Sequence, residues 1–233
     1  MRVLVVGSCG KKKLYNEHEQ PSCHDIDTKR DIIFWKKRLL DFCLPARDMY
    51  TGPQNTELVK AVDLLRTIAN IEVQYIIVSA GFGILQEKEL IPPYDCSFSS
   101  MSMKEVRKRS QEQELQASIF NMVDKGFDLV YLALGKRYLA ALGKDTLSKM
   151  KVLTIAFDGQ ESDYLIRLPC SAQTVRAFSK RGHKVHGVVG FKGDLLRILV
   201  SHALQTPVPR NEIEKWKDPH HLKKLVHQLG GLS

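Results

Sequence analysis

The chain has 233 residues, of which 43% are hydrophobic and 26% are charged, and its formal net charge is +9. These values are ordinary for a globular protein with an ample core, in one large domain or two small ones. No window approaches the roughly eighteen consecutive apolar residues of a membrane span, and the N-terminus begins a strand without a signal-peptide pattern. We therefore expect no membrane partner and a cytoplasmic location.

The stretch from Arg2 to Tyr15 joins a short apolar strand to a turn rich in small and basic residues. Four apolar residues in a row, Val3 to Val6, are typical of a strand buried on both faces of a parallel sheet. Open α/β sheets bind ligands beyond the carboxyl ends of such strands. The turn predicts an anion or nucleotide site, because its small residues let the backbone approach a ligand and its lysines supply positive charge. Its members are Gly7, Ser8, Cys9, Gly10, Lys11, Lys12 and Lys13. The alternative is a solvated turn, because the pattern matches neither the Walker loop nor the dinucleotide fingerprint.

The rest of the chain predicts alternating helices and strands. Helical periodicity covers 31–43, 56–69 and 102–125, and apolar runs at 73–78, 128–134 and 151–157 predict three further strands. Residues 16–28 and 84–98 are interpreted as loops. Three helices between four strands favour an α/β fold with a mainly parallel, Rossmann-like sheet flanked by helices. Further helices are predicted at 172–181, 195–203 and around 220–229. Residues 1–160 would form the core, and 161–233 a basic helical C-terminal extension on the same domain.

The second and third strands end in the same kind of turn as the first. Ser79, Gly81 and Gly83 follow the second strand, and Lys136 and Tyr138 follow the third. Because parallel strands end at one edge of the sheet, we expect the three turns to line one pocket. The Ser79 hydroxyl and neighbouring amides could face an oxyanion, although a serine at a strand end also serves as a cap.

Cys9 is the cysteine whose surroundings favour a thiolate, because lysines and backbone amides lie beside it. We expect a partly accessible, reactive thiol that acts as nucleophile or general acid, and the alternative is a small residue required by a tight turn. Cys43 follows an apolar helix stripe and is expected to be buried and inert. Tyr50, Tyr94 and Tyr138 could stack on a base or pack half-buried.

The five cysteines have wide, irregular spacings that predict neither a disulfide framework nor a paired zinc site, and most are expected to be reduced. His183 and His186 could offer two ligands to a metal, with Cys170 as a third, but no second ligand pair accompanies them. We expect no metal and no cofactor.

A stretch without acidic residues runs from Tyr164 to Gly193 and contains six basic residues. Such a stretch is a candidate electrostatic footprint for phosphates. We expect a nucleotide or nucleic acid as the partner, bound through Arg176, Lys180, Arg181, Lys184 and Lys192.

Four ordered motifs resemble the YaaA-like superfamily of Rossmann-like proteins, especially a bacterial branch of it. They are SCGKKKLY at 8–15, PARDMYTG at 45–52, VSAGFGIL followed by PPYD at 78–95, and LALGKRYLAAL at 132–142. The first motif is also similar to the cysteine-lysine-tyrosine motif of archaeal enzymes that modify the tRNA base preQ0. Relative to the shorter members of the superfamily, residues 21–42 look like an insertion.

The resemblance implies a nucleotide or nucleobase pocket at the sheet edge. This pocket would be lined by Ser8, Cys9, Lys12, Arg47, Tyr50, Ser79, Gly81, Gly83, Tyr94 and Lys136. We expect catalytic roles for Cys9, Ser79 and Lys12. We expect substrate binding by Ser8, Lys13, Arg47, Tyr50, Gly81, Gly83, Tyr94, Lys136 and Tyr138.

The leading hypothesis is an enzyme that acts on the N-glycosidic bond or base of a nucleotide, by hydrolysis or base exchange, on a free nucleotide or within DNA or RNA. The alternative is a non-catalytic DNA-binding protein associated with stress or defence. An enzyme needs the motif turns to converge on one concave pocket, whereas a binding protein needs only a convex basic face.

Overall fold

The computed structural model describes residues 1–15, 19–143 and 145–232. Within these residues, the strands are β1 (Arg2–Ser8), β2 (Leu44–Pro45), β3 (Glu72–Ser79), β4 (Gly83–Gln86), β5 (Leu90–Ile91), β6 (Leu129–Leu132), β7 (Thr154–Ala156) and β8 (Leu165–Arg167). Six of them form one sheet in the order β4-β3-β1-β6-β7-β8, and β2 pairs with β5 in a separate two-stranded ladder.

The apolar strand β1 lies in the middle of the sheet. It pairs in parallel with β3 on one side and with β6 on the other, and Val3 to Val6 are buried on both faces as predicted. β6, β7 and β8 continue the parallel pairing, and β4 pairs with β3 antiparallel at the edge. The protein therefore has the Rossmann-like α/β fold that the alternation of apolar strands and helices predicts.

Helices flank this sheet. They are α1 (Lys29–Arg38), α2 (Ala46–Met49), α3 (Pro53–Arg66), α4 (Met103–Glu112), α5 (Leu115–Val123), α6 (Lys136–Leu142), α7 (Thr146–Lys149), α8 (Ala172–Lys180), α9 (Gly187–Leu204), α10 (Pro209–Lys215) and α11 (Pro219–Gly230). The buried helix α9 packs closely on α3, because a Cβ at Gly193 would lie 2.4 Å from the Gln54 carbonyl oxygen. The buried carboxylate of Glu57 also pairs with Arg197 across this interface. Among the described helices, none is long and apolar enough to cross a membrane.

Several predicted boundaries differ from the structure. The helix predicted over 102–125 is two helices, α4 and α5, separated at Glu114, whose φ of 50° is left-handed. The loop predicted over 84–98 contains most of β4 and all of β5, whose four and two residues are too short for a periodicity signal. β8 lies beyond residue 160, so the segment 161–233 contributes a strand to the sheet as well as helices. Of the loop predicted over 16–28, residues 16–18 lie outside the described residues.

Candidate functional site

The turns after β1, β3 and β6 lie at one edge of the sheet, as the strand ends predict. The expectation that all three turns line one pocket was wrong, because only the turn after β1 contributes to the lining of the cleft at this edge. The three strands are adjacent and parallel, so their carboxyl ends point the same way. Cys9 extends the pairing of β1 by one residue, since its N–H donates to the Val78 carbonyl at 2.9 Å. The Ala80 N–H lies 3.4 Å from the Cys9 sulfur.

A polar cleft of about 350 Å³ opens beside this edge. Its lining residues are Lys11, Lys12, Lys13, Tyr15, Gln20, Thr51, Tyr94 and Asp95. Backbone hydrogen bonds fix the lysine segment, because Leu14 N–H donates to Met49 at 2.9 Å and Thr51 N–H donates to Lys12 at 3.2 Å. The three lysines are thereby held at the mouth of the cleft.

Lys13 is the half-buried lysine of the three. Its Nζ lies 4.2 Å from the centre of the Tyr94 ring and donates to the Gly10 carbonyl at 3.3 Å. Burial lowers the pKa of the Lys13 ammonium, and the nearby Cys9 and Asp95 oppose this shift by favouring the charged form. A lysine with a lowered pKa gives up its proton more readily, which is a property of catalytic lysines.

Two buried tyrosines form a hydrogen-bonded layer beneath the cleft. The Tyr94 hydroxyl lies 2.6 Å from the Tyr50 hydroxyl and 2.7 Å from the Ser79 hydroxyl. Burial raises the pKa of both tyrosines well above the ordinary value, so both phenols stay protonated. This layer positions the Tyr94 ring below Lys13.

Cys9 is 2% exposed and does not line the cleft, so the expectation of a partly accessible thiol was wrong. The Tyr138 hydroxyl donates to the Cys9 carbonyl at 2.6 Å and lies 3.1 Å from both the Cys9 sulfur and the Ser97 hydroxyl. Cys9, Tyr138 and Ser97 thus form a buried hydrogen-bonded network. Cys9 is buried because its backbone continues the pairing of β1 with β3. Cys43, predicted to be buried, is only half-buried, and burial raises the pKa of its thiol.

Ser79 is fully buried and lies outside the cleft lining. Its hydroxyl accepts hydrogen bonds from the N–H groups of Gly81 and Phe82 at 3.1 and 3.0 Å, so these donors and this acceptor satisfy one another. Ser79 therefore caps the turn that follows β3, which is the alternative interpretation given above, and does not form an oxyanion site. A Cβ at Gly81 would lie 2.7 Å from Ile26 and from the Tyr94 ring, so this glycine serves packing, while Gly83 has a φ of +75° in the turn.

Other residues predicted to bind substrate also lie outside the cleft lining. Arg47 pairs with Asp63 at 2.6 Å and with Glu87 at 2.9 Å, so its guanidinium is already occupied by carboxylates. The Ser8 hydroxyl accepts a hydrogen bond from Gln54 at 3.1 Å. Lys136 is exposed at the first position of α6, and Tyr138 is buried beneath Cys9.

The predicted phosphate-binding residues separate into two groups. Arg176, Lys180 and Arg181 line an open groove of about 370 Å³ between α8 and the end of α11, and Lys184 is exposed. Lys192 is 8% exposed within α9, where its Nζ lies 5.8 Å from the centre of the Phe157 ring. Lys192 is therefore not part of the exposed basic surface, because the helix α9 that carries it is buried along most of its length.

A disulfide joins Cys23 and Cys96, which the cysteine spacing did not predict. The two residues are 73 positions apart in the sequence. Cysteine spacing alone does not predict a pair that is brought together only by the fold. Next to the disulfide, the Asp95 N–H donates to the Pro21 carbonyl at 2.8 Å. The buried Arg109 holds the same segment by pairing with Asp27 at 2.6 Å. Asp95 thus has a fixed position at the cleft.

The two histidines considered as metal ligands have separate partners. His183 Nε2 lies 3.1 Å from the Leu229 carbonyl, and His186 Nδ1 lies 2.7 Å from the buried carboxylate of Asp194. In the part of the chain that the structure describes, no group of three or more His, Cys, Asp and Glu side chains could hold a metal ion.

The cleft contains residues that the sequence reasoning did not assign. They are Tyr15, Gln20, Thr51 and Asp95. Tyr15, Thr51 and Asp95 all lie inside the motifs that carry the family resemblance, so membership of those motifs was a usable signal. Gln20 lies outside them, and only the tertiary structure brings it to the cleft.

No protein-family model matches the chain. One stretch of 100 residues, 41% of the chain, is 25% identical to a protein of Mycoplasmopsis pulmonis described as translation initiation factor IF-2. This match spans 17% of the length of that protein. A similarity of this extent shows no family for the chain.

Proposed function

We propose that the protein is an enzyme that acts on the N-glycosidic bond or base of a nucleotide, either free or within DNA or RNA. The observation that carries this proposal is the cleft in which the half-buried Lys13 lies beside Asp95 and above the Tyr94 ring. The cleft is concave and combines a cluster of ammonium groups, a carboxylate and aromatic rings. These are the groups that bind phosphate, activate water and stack on a base.

A hydrolytic reaction can be written with these residues in place. Lys11 and Lys12 bind phosphate, and the half-buried ring of Tyr15 stacks on the base. Water attacks C1′ and gives a proton to the Asp95 carboxylate, while the N-glycosidic electron pair leaves with the base and takes a proton from the Lys13 ammonium. Asp95 also stabilises the positive charge that develops on the sugar. In this scheme the buried Cys9 acts only on the electrostatic environment of Lys13.

The test combines binding and product analysis. Nucleoside monophosphates, modified nucleosides, and short DNA and RNA oligonucleotides are screened at saturating concentration by thermal shift, and mass spectrometry then detects released base. A ligand at about 100 times its Kd stabilises by about 2.7 kcal/mol, which for a chain of this size raises Tm by about 5–10 °C.

The variant Lys13→Met should abolish base release, and the control Lys88→Met, which changes an exposed lysine outside the cleft, should not. If no nucleotide stabilises the protein and none releases its base, the proposed activity is wrong.

The exposed basic surface of Arg176, Lys180, Arg181 and Lys184 favours a second candidate function, non-catalytic DNA binding. The four side chains are exposed, and three of them line one groove. Duplex binding by this surface without any turnover at the cleft would favour this second function.

A further inference from the structure

The helix α1 exposes apolar side chains to solvent. Its sequence contains the apolar run Ile32-Ile33-Phe34-Trp35, which would be expected to be buried. None of its residues is buried, and Ile33 and Phe34 are 55% and 54% exposed. Ile32 and Trp35 pack half-buried against the core. The core therefore accounts for only one side of this helix.

The exposed side of α1 carries two apolar residues between two basic ones. Arg30, Ile33, Phe34 and Lys37 are spaced three, one and three positions apart, which puts them on one helix face, and all four are exposed. No ion pair to Arg30 or Lys37 is present among the described residues. We call these four residues the outer face of α1.

Both ends of α1 are attached to segments that line the cleft. At the C-terminal end, Arg38 pairs with Glu19, which precedes the cleft residue Gln20. Shortly after this end, the Phe42 ring contacts the ring of Tyr15, also a cleft residue, with 5.5 Å between the ring centres. Before the N-terminal end, the Cys23–Cys96 disulfide and the Ser22–Asp95 bridge join the chain to Asp95. The outer face thus belongs to a segment whose two ends are attached to residues of the cleft lining or to their neighbours.

The chemistry of the outer face favours a single-stranded nucleic acid as its occupant. An aromatic ring between cations can stack on an unpaired base while the cations contact adjacent phosphates. A second copy of this chain is disfavoured, because two molecules of formal charge +9 would meet through basic surfaces. A membrane-surface helix separates a broad apolar face from its charged face, whereas here two basic residues flank two apolar residues on the same face.

We propose that the outer face of α1 binds a single-stranded segment of DNA or RNA whose target nucleotide enters the cleft. This inference rests on the proposed function and narrows its substrate to a nucleotide within a polymer. It also gives a role to the segment 21–42, whose helix α1 exposes Ile33 and Phe34 to solvent.

The test uses the full chain and fluorescently labelled 15-nucleotide oligo-dT and oligo-U. Phe34→Ala should weaken binding about 5- to 150-fold, the range expected for one stacked base. Arg30→Gln with Lys37→Gln should reduce the slope of log Kd against log salt by about 1.4, at about 0.7 per phosphate contact on a single strand. Thermal stabilisation by a mononucleotide should stay unchanged in both variants.

Matched controls are Val189→Ala, which changes a side chain that is 80% exposed, and Lys104→Gln with Lys108→Gln on the exposed face of α4. Trp35 adds a local signal, because the chain has two tryptophans and Trp216 is buried. In the variant Trp216→Phe, oligonucleotide should quench the remaining fluorescence, and adding Arg30→Gln and Lys37→Gln should prevent this.

The inference is overturned if the α1 variants bind oligonucleotide with the same Kd and salt slope as the controls. It is also overturned if the α1 variants lose binding only to phosphatidylserine vesicles, or if Phe34→Ala only converts a dimer to a monomer. Binding of mononucleotide without oligonucleotide removes this inference and leaves the proposed function intact. Loss of oligonucleotide binding in the α1 variants, with no base release by the unmodified protein, supports the binding face and removes the proposed activity.

Discussion

The Nζ atom of Lys13 lies 4.2 Å from the centre of the Tyr94 ring, which places an ammonium group over an aromatic ring at the floor of the cleft. The ring favours the charged lysine, whereas burial favours the neutral amine, and the net effect of the surroundings is a lowered pKa. This contact joins the lysine-rich turn after β1 to the loop that carries Asp95. The two motifs are distant in sequence and meet at one cleft.

We expect the Lys13 amine to lose its proton at a lower pH than an ordinary lysine, whose pKa is 10.5. Trace acetylation between about pH 7 and about pH 11, followed by peptide mapping, gives the midpoint of the labelling rate for each lysine. The pH at the midpoint gives the pKa of the lysine, whereas the accessibility of the lysine to the reagent changes only its maximal labelling rate. A midpoint for Lys13 at or above that of a lysine model peptide would contradict the lowered pKa.

Tyr94→Phe should reduce the free energy of unfolding by about 1–3 kcal/mol, because it leaves the buried hydroxyls of Tyr50 and Ser79 without their shared partner. Urea denaturation measures this change. The control Tyr164→Phe alters an exposed tyrosine and should change stability by less than about 0.5 kcal/mol. Equal effects of the two substitutions would show that the hydroxyl network adds no stability.

Cys9 should react with iodoacetamide more than about tenfold more slowly than Cys43 and Cys170 in the native protein. Cys9 is buried, so its alkylation requires local opening, and tenfold protection corresponds to about 1.4 kcal/mol. Cys43 and Cys170 are both half-buried, and burial raises the pKa of each thiol. The raised pKa lowers the fraction of reactive thiolate at neutral pH, so both cysteines should be alkylated more slowly than a fully exposed cysteine. Mass spectrometry follows the three sites, and equal labelling in urea serves as the control. Preferential native labelling of Cys9 would restore the reactive-thiol hypothesis.

The Cys23–Cys96 disulfide should leave three titratable thiols in the denatured, unreduced protein and five after reduction. The double substitution Cys23→Ala and Cys96→Ala should lower the free energy of unfolding by about 4 kcal/mol, the chain-entropy value for a loop of 73 residues. Urea denaturation with and without reductant measures this loss. Five titratable thiols before reduction would rule out the disulfide.

Replacing Arg176, Lys180, Arg181 and Lys184 by Ala should make nucleic-acid binding less sensitive to salt. If each side chain contacts one phosphate, the slope of log Kd against log salt falls by about 2.8 on single strands and about 3.6 on duplex DNA. Fluorescence anisotropy on both DNA forms and on RNA measures the slope. An unchanged slope on all three would remove this surface from binding and leave α1 and the cleft as the contacts.

Local patterns in the sequence predicted the sheet better than the site. Val3 to Val6 are apolar without interruption, which is sufficient to place β1 between two parallel neighbours. The small residues after β1 and β3 predicted correctly that both strands end at one edge. By contrast, β5 and β8 have only two and three residues, and strands this short carry too little periodicity to be recognised.

The sequence by itself determined the α/β class, the central position of β1 and the edge at which the motif turns meet. Periodicity reports the burial of whole segments, and this burial follows from local composition. Only the tertiary structure decided that Cys9 lies beneath the cleft while Lys13 and Asp95 line it, and that Cys23 meets Cys96. The direction of a side chain at the sheet edge depends on contacts between segments far apart in the chain. No local pattern encodes those contacts.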